Sequence, residues 1–184
     1  MGDKIRVGVI GAGGIGRIHI SSYQQTGKAE VVAVSDTNLN KVRKTQEEFN
    51  IPKGYKDYEE MLEKENLDAV SICTPNFLHA SQSIFSLDRG CHVLLEKPMA
   101  TNTHEAKKIV EKVKESGKIL MMGMTWRFMP YYSYIKKLAQ EGEFGDIYFA
   151  HGKWTRRRGV PGMGGWFTTK KMSGGGPLLS LIHI

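Results

Sequence analysis

Residues 5–16 read IRVGVIGAGGIG, and they decide the fold. A short Val/Ile-rich run ends at Ile10, glycines follow at positions 11, 13 and 16, and a helical pattern opens at Gly14. In this spacing the first glycine allows a tight turn. The second lets backbone approach a pyrophosphate, and the third lets helix pack on strand. The helix start offers free N–H groups and the positive end of its dipole to phosphate. Gly11, Ala12, Gly13, Gly14, Ile15 and Gly16 are therefore the expected dinucleotide cradle. Asp36 stands twenty residues beyond Gly16, at the end of the next apolar run, where a carboxylate accepts from both ribose hydroxyls. On the loop alone, a methyltransferase that binds S-adenosylmethionine is the rival.

Further along, Val/Ile/Leu-rich runs at 5–10, 31–35, 69–73, 92–95 and 119–122 alternate with helical patterns at 14–25, 39–49, 77–89 and 103–116. Runs of this kind are strands buried on both faces. Asp57 with Glu60, and Asn102 with Glu105, resemble capping boxes, and Gly27, Gly90 and Gly117 sit where helices end. The prediction is an α/β fold, a Rossmann-type doubly wound parallel sheet over residues 1–124. After Met124 the pattern changes. Trp126, Phe128, Tyr131, Tyr132 and Tyr134 cluster, Pro130 opens a helix to about Glu141, and residues 147–155 alternate as a strand should. Residues 125–184 are expected to be the start of an α+β open-sheet domain, too small for an independent core.

Composition narrows the class. Of the 184 residues, 40% are apolar and 24% charged, as in ordinary globular proteins. No apolar run approaches the ~20 residues of a membrane span, and the N-terminus carries no signal-peptide pattern. Two cysteines, Cys73 and Cys91, make no disulfide framework, which points to free thiols in a reducing cytoplasm. The net charge of +7 comes from basic residues spread along helices, with one run at Arg156-Arg157-Arg158. That is a solvated surface, and no nucleic-acid or metal signature accompanies it.

Three further segments carry chemistry. Asp36 is followed by Thr37 and Asn38 rather than arginine, which favours NAD over NADP, since a carboxylate repels a 2′-phosphate. Thr74-Pro75-Asn76 with His79 follows the third run. It reads either as a helix cap or as lining for the nucleotide crevice. Glu96-Lys97-Pro98 ends the fourth run. In isolation it is an exposed ion pair, worth little. At a strand end facing a nicotinamide, Lys97 can hydrogen-bond a substrate hydroxyl and shuttle its proton.

Together these segments resemble the Gfo/Idh/MocA oxidoreductases. The matching stretches are residues 9–16, Thr74-Pro75-Asn76 with His79, Glu96-Lys97-Pro98, Trp126-Arg127-Phe128 and Ser173-Gly174-Gly175-Gly176, in the family's order. The resemblance implies a Rossmann domain followed by an open-sheet domain that usually dimerises. It also implies NAD(P)-linked transfer of a hydride to or from a sugar or polyol. It places the catalytic lysine at Lys97, sets Arg127 near the nicotinamide and the substrate, and puts Trp166 in the substrate pocket. The chain departs from the family's pattern near its end. Ser180 stands where an aspartate is usual, and His183 lies one residue short of the usual histidine, which sets its catalytic part apart from that of Lys97. The chain is expected to be a truncated form with non-native residues at 179–184, and therefore a poor or inactive catalyst prone to self-association. A regulator that binds NAD(H) without turnover is the alternative to a dehydrogenase.

Overall fold

The computed structural model describes residues 4–153, 155 and 164–175. Six strands form one parallel sheet: β1 (Ile5–Ile10), β2 (Ala29–Ser35), β3 (Lys53–Tyr55), β4 (Ala69–Ile72), β5 (His92–Leu95) and β6 (Leu120–Met122). Their order is β3-β2-β1-β4-β5-β6, and every neighbouring pair is parallel. The chain winds outward to one side from β1 to β3, then returns to β4 and winds to the other. The crevice between β1 and β4 is thus the switch point where such sheets take their ligands.

Helices α1 (Gly14–Thr26), α2 (Leu39–Phe49), α3 (Tyr58–Lys64), α4 (His79–Asp88) and α5 (Thr103–Ser116) supply the crossovers. Successive strand residues face opposite ways, so a central strand feeds two cores. Val7 and Val9 of β1 join Ile20 of α1 and Val42 of α2 in one buried cluster. Ile10 joins Met61 of α3, Leu87 of α4 and Ile109 of α5 in the other. Residues that look uniformly apolar in sequence are divided between two covered faces, which is what a doubly wound sheet requires.

Helix punctuation follows local chemistry. Asn38 and Asp57 cap α2 and α3 by accepting from first-turn N–H groups. Asn102 caps α5 at Glu105 N, while the Glu105 carboxylate reaches back one residue further than a capping box would, to Thr101. Gly27, Gly90 and Gly117 adopt the left-handed conformation that closes a helix. Asn50 also ends a helix at φ 54, a position the glycine pattern does not mark.

The structure adds one strand and removes another. Strand β3 is absent from the hydropathy pattern, because Lys53-Gly54-Tyr55 has no apolar run and is held by backbone pairing to β2. Residues 147–153 form no strand: Tyr148 and Phe149 are 97% and 78% exposed, and no described residue pairs with them. Alternation selects a face for a strand but supplies no neighbour to bond. Helix α6 (Pro130–Gln140) forms as expected, with Pro130 in its first turn. No helix among the described residues is long and apolar enough to cross a membrane.

Candidate cofactor and catalytic site

Strand register builds the site. Ser35, Ile10, Ile72, Leu95 and Met122 end their strands in line. The next residue of each strand extends the ladder by one bond. Gly11 N donates to Ser35 O, Cys73 N to Ile10 O, Glu96 N to Ile72 O, and Gly123 N to Leu95 O. Asp36, Gly11, Cys73, Glu96 and Gly123 therefore form a row along the carboxyl edge. Lys97 and Thr74 follow directly on two of them.

The glycine turn fits a dinucleotide diphosphate. Gly11 sits at φ +105, and a Cβ there would lie 2.5 Å from the Cys73 carbonyl oxygen. Gly16 packs so closely on Gly11 that a Cβ would meet its carbonyl oxygen at 1.8 Å. Gly13 and Gly14 have open space where their side chains would be, at the start of α1. The N-cap, Gly13, has no side chain to satisfy the first-turn N–H groups, which are left for an anion. Asp36 reaches across from β2: Oδ2 accepts from Ala12 N at 3.0 Å and Oδ1 from Asn38 N at 2.9 Å. The carboxylate thus braces the turn beside which it would hold a ribose.

On the other side of the crevice the loops are tied together. His79 has no exposed surface, and its ring nitrogens face Pro98 O at 2.6 Å and Thr74 O at 2.9 Å. It fastens the loop after β4 to the one after β5 from beneath, and does not itself line the crevice. Thr74 donates its hydroxyl hydrogen bond to Gln82. Asn76 begins a short 3-10 turn, and its amide donates to Ser173 O at 2.7 Å. Neither the helix-cap nor the crevice reading anticipates that clasp. Helix α7 (Lys170–Ser173) follows Trp166 and Phe167, which are themselves partly exposed. Gly174 then packs on Thr101, where a Cβ would lie 2.8 Å from Cα. Segment 164–175 is in this way docked at the same edge. Arg127 lies in an exposed 3-10 turn just beyond β6, and His183 lies outside the described residues.

Lys97 is half-buried and joined to Pro98 by a cis peptide bond. The Glu96 carboxylate accepts from His19 Nε2 at 3.0 Å. Burial pushes the Glu96 pKa up. The His19 hydrogen bond and charge, with the Lys97 amide and ammonium, outweigh it and hold the group below its ordinary 4.5. Burial pushes the Cys73 thiol far up, and Glu96 adds to this, so that Cys73 stays protonated and is no nucleophile. Burial also lowers His79 below 6.5, against the pull of its two carbonyl partners.

The two depressed groups, His79 and Glu96, set a pH dependence. A depressed folded-state pKa means that the unfolded chain binds more protons as the pH falls. Stability is lost below 6.5 as His79 protonates in the unfolded chain. A further loss begins below 4.5, as Glu96 does the same. Denaturant midpoints are expected to fall between about pH 7.5 and about pH 5.5, and His79→Gln is expected to flatten that slope. An unchanged slope in the variant would show that His79 is not the group responsible.

Sequence reasoning missed His19, Tyr23 and Ser71. Gly16, His19, Ile20 and Tyr23 share one face of α1 at helical spacing, and Ser71 lies in a strand buried on both sides. Polar residues on a core-facing stripe were the available signal.

The sequence matches the family model for the Gfo/Idh/MocA oxidoreductases, described as an oxidoreductase family with an NAD-binding Rossmann fold, over residues 5–124. It is 34% identical to D-glucoside 3-dehydrogenase of Escherichia coli, over 99% of this chain and 52% of that protein. It is 32% identical to myo-inositol 2-dehydrogenase of Thermotoga maritima, over 77% of this chain and 42% of that one. The WlbA dehydrogenase of Bordetella pertussis, solved with NADH and UDP-GlcNAcA, superposes with a TM-score of 0.76 at 34% identity, over 79% of this chain and 45% of that one. The chain spans about half the length of the curated relatives it matches. By its sequence and its fold, this chain belongs to the Gfo/Idh/MocA oxidoreductase family.

Proposed function

We propose that the chain is the cofactor-binding part of a dehydrogenase that moves a hydride between NAD and a sugar or polyol, with Lys97 moving the proton. Lys97 carries this reading: it follows β5 at the sheet edge that also bears the glycine turn. Residues 1–124 form the dinucleotide domain, and residues 125–184 begin a substrate and dimerisation domain. The first-turn amides of α1 hold the diphosphate, and Asp36 accepts from the ribose hydroxyls. Thr74, Pro75, Asn76 and Glu96 border the nicotinamide side. NAD, when bound, supplies the hydride acceptor. Lys97 Nζ, in its neutral amine form, accepts a hydrogen bond from the substrate hydroxyl and takes its proton, becoming the ammonium. Arg127 and Trp166 line the substrate side, and His183 is a second proton-handling candidate. The protein works in the cytoplasm as a homo-oligomer.

The choice of NAD rests on Asp36. Its charge opposes a 2′-phosphate, so Asp36→Ala is expected to weaken NADH more than NADPH, because the repulsion goes with the hydrogen bonds. Equal weakening of both, measured by calorimetry, would remove Asp36 as the discriminating group. The reaction class is tested by incubating a chain extended to its relatives' length with NAD and a panel of inositols, aldoses and glycosides. Appearance of NADH with at least one is expected. Cofactor binding without reduction across the panel would favour the non-catalytic sensor.

A further inference from the structure

Beneath the strand end that carries Lys97 lies a chain of four polar side chains. His19 sits on α1, three residues past Gly16. Its Nε2 lies 3.0 Å from Glu96 Oε1, and its Nδ1 lies 3.1 Å from Ser71 Oγ. Tyr23 OH lies 2.8 Å from the same Ser71 oxygen. One direction is fixed. A carboxylate only accepts, so Nε2–H donates to Glu96. Ser71 Oγ bridges Nδ1 and the Tyr23 hydroxyl. The His19 and Glu96 side chains are only 10% and 15% exposed, so water competes little for this bond.

The chain joins two parts of the crevice that the sheet alone does not hold together. His19 belongs to the helix whose start faces the diphosphate. Glu96 is the residue before Lys97, and its carboxylate also takes the Lys97 backbone amide. Gly123 leaves the space that the carboxylate fills, since a Cβ there would stand 2.9 Å from Oε1.

We propose that His19 is a positioning residue for the nicotinamide half of the site, fixing the Glu96–Lys97 strand end relative to the diphosphate helix. The proposal rests on the crevice being a dinucleotide site. Its signature is selectivity. ADP-ribose carries the adenosine, the diphosphate and the second ribose but lacks the nicotinamide ring that NADH adds. Calorimetric titration of the full chain, wild type, His19→Leu and His19→Gln, with each ligand separates the cases. In His19→Leu, NADH is expected to bind about tenfold more weakly, the effect of losing a hydrogen bond to a charged group, with ADP-ribose within about twofold of wild type. His19→Gln, whose amide can donate to the same carboxylate, is expected to recover most of the NADH affinity. Retained ADP-ribose binding also reports that each variant is folded. Equal losses for both ligands in His19→Leu, or no loss for NADH, would overturn the proposal. Wild-type protein that binds neither ligand would instead overturn the dinucleotide site itself.

Discussion

In a chain extended to the length of its relatives, Lys97→Ala is expected to lower turnover by ~10²–10⁴-fold while leaving NADH affinity nearly unchanged. The size follows from the role. A positioned acid–base group acts in the transition state, and its removal touches neither the glycine turn nor Asp36. The surroundings are built to keep this side chain in place. Pro98 is buried, its carbonyl faces the His79 ring, and the Glu96 carboxylate is bound to His19. Truncation at Lys97 leaves those contacts standing, so the loss appears in kcat rather than in stability. Unchanged steady-state rates would demote Lys97 to an ion-pair partner of Glu96. A loss of cofactor affinity equal to the loss of rate would place it in binding rather than proton transfer.

Gly16→Ala is expected to destabilise the fold by about 3 kcal/mol or more and to abolish measurable NADH binding. The added methyl would stand 1.8 Å from the Gly11 carbonyl oxygen, a backbone atom with little room to yield. Gly11 is itself pressed against the Cys73 carbonyl in a left-handed conformation. Either α1 lifts from β1 or the turn opens, and both misdirect the amides at the helix start. Gly13→Ala is the informative contrast. Nothing lies within 4 Å of that Cβ, and the backbone there is extended. Stability is expected to change by no more than about 1 kcal/mol, while the methyl enters space that the diphosphate needs. Thermal unfolding and NADH titration of the two variants separate a packing glycine from a ligand glycine. A stable, NADH-binding Gly16→Ala protein would contradict the close approach of helix and strand.

The parallel sheet was legible because strands buried on both faces leave unbroken apolar runs, and because Gly11, Gly13 and Gly16 each answer a separate steric demand. The edge positions of Asp36 and Glu96 were legible for the same reason, since each follows directly on such a run, and Lys97 comes next in the chain. Strand β3 was not, as its three residues are defined by bonds to β2 that composition does not encode. The alternation at 147–155 misled, because a pattern of side chains cannot show where a partner strand lies. His19, Ser71 and Tyr23 come from α1 and β4, and their meeting with Glu96 depends on how a helix crosses the sheet. Asn76 and Ser173 are ninety-seven residues apart, and local capping rules saw Asn76 alone.

The central claim is that the switch-point crevice of this chain holds NAD. Calorimetric titration of the 184-residue chain with NADH and with NADPH tests it most directly. Saturable binding of one NADH per chain, tighter than NADPH, is the predicted result. A folded chain that binds neither dinucleotide, or that prefers NADPH, would contradict it.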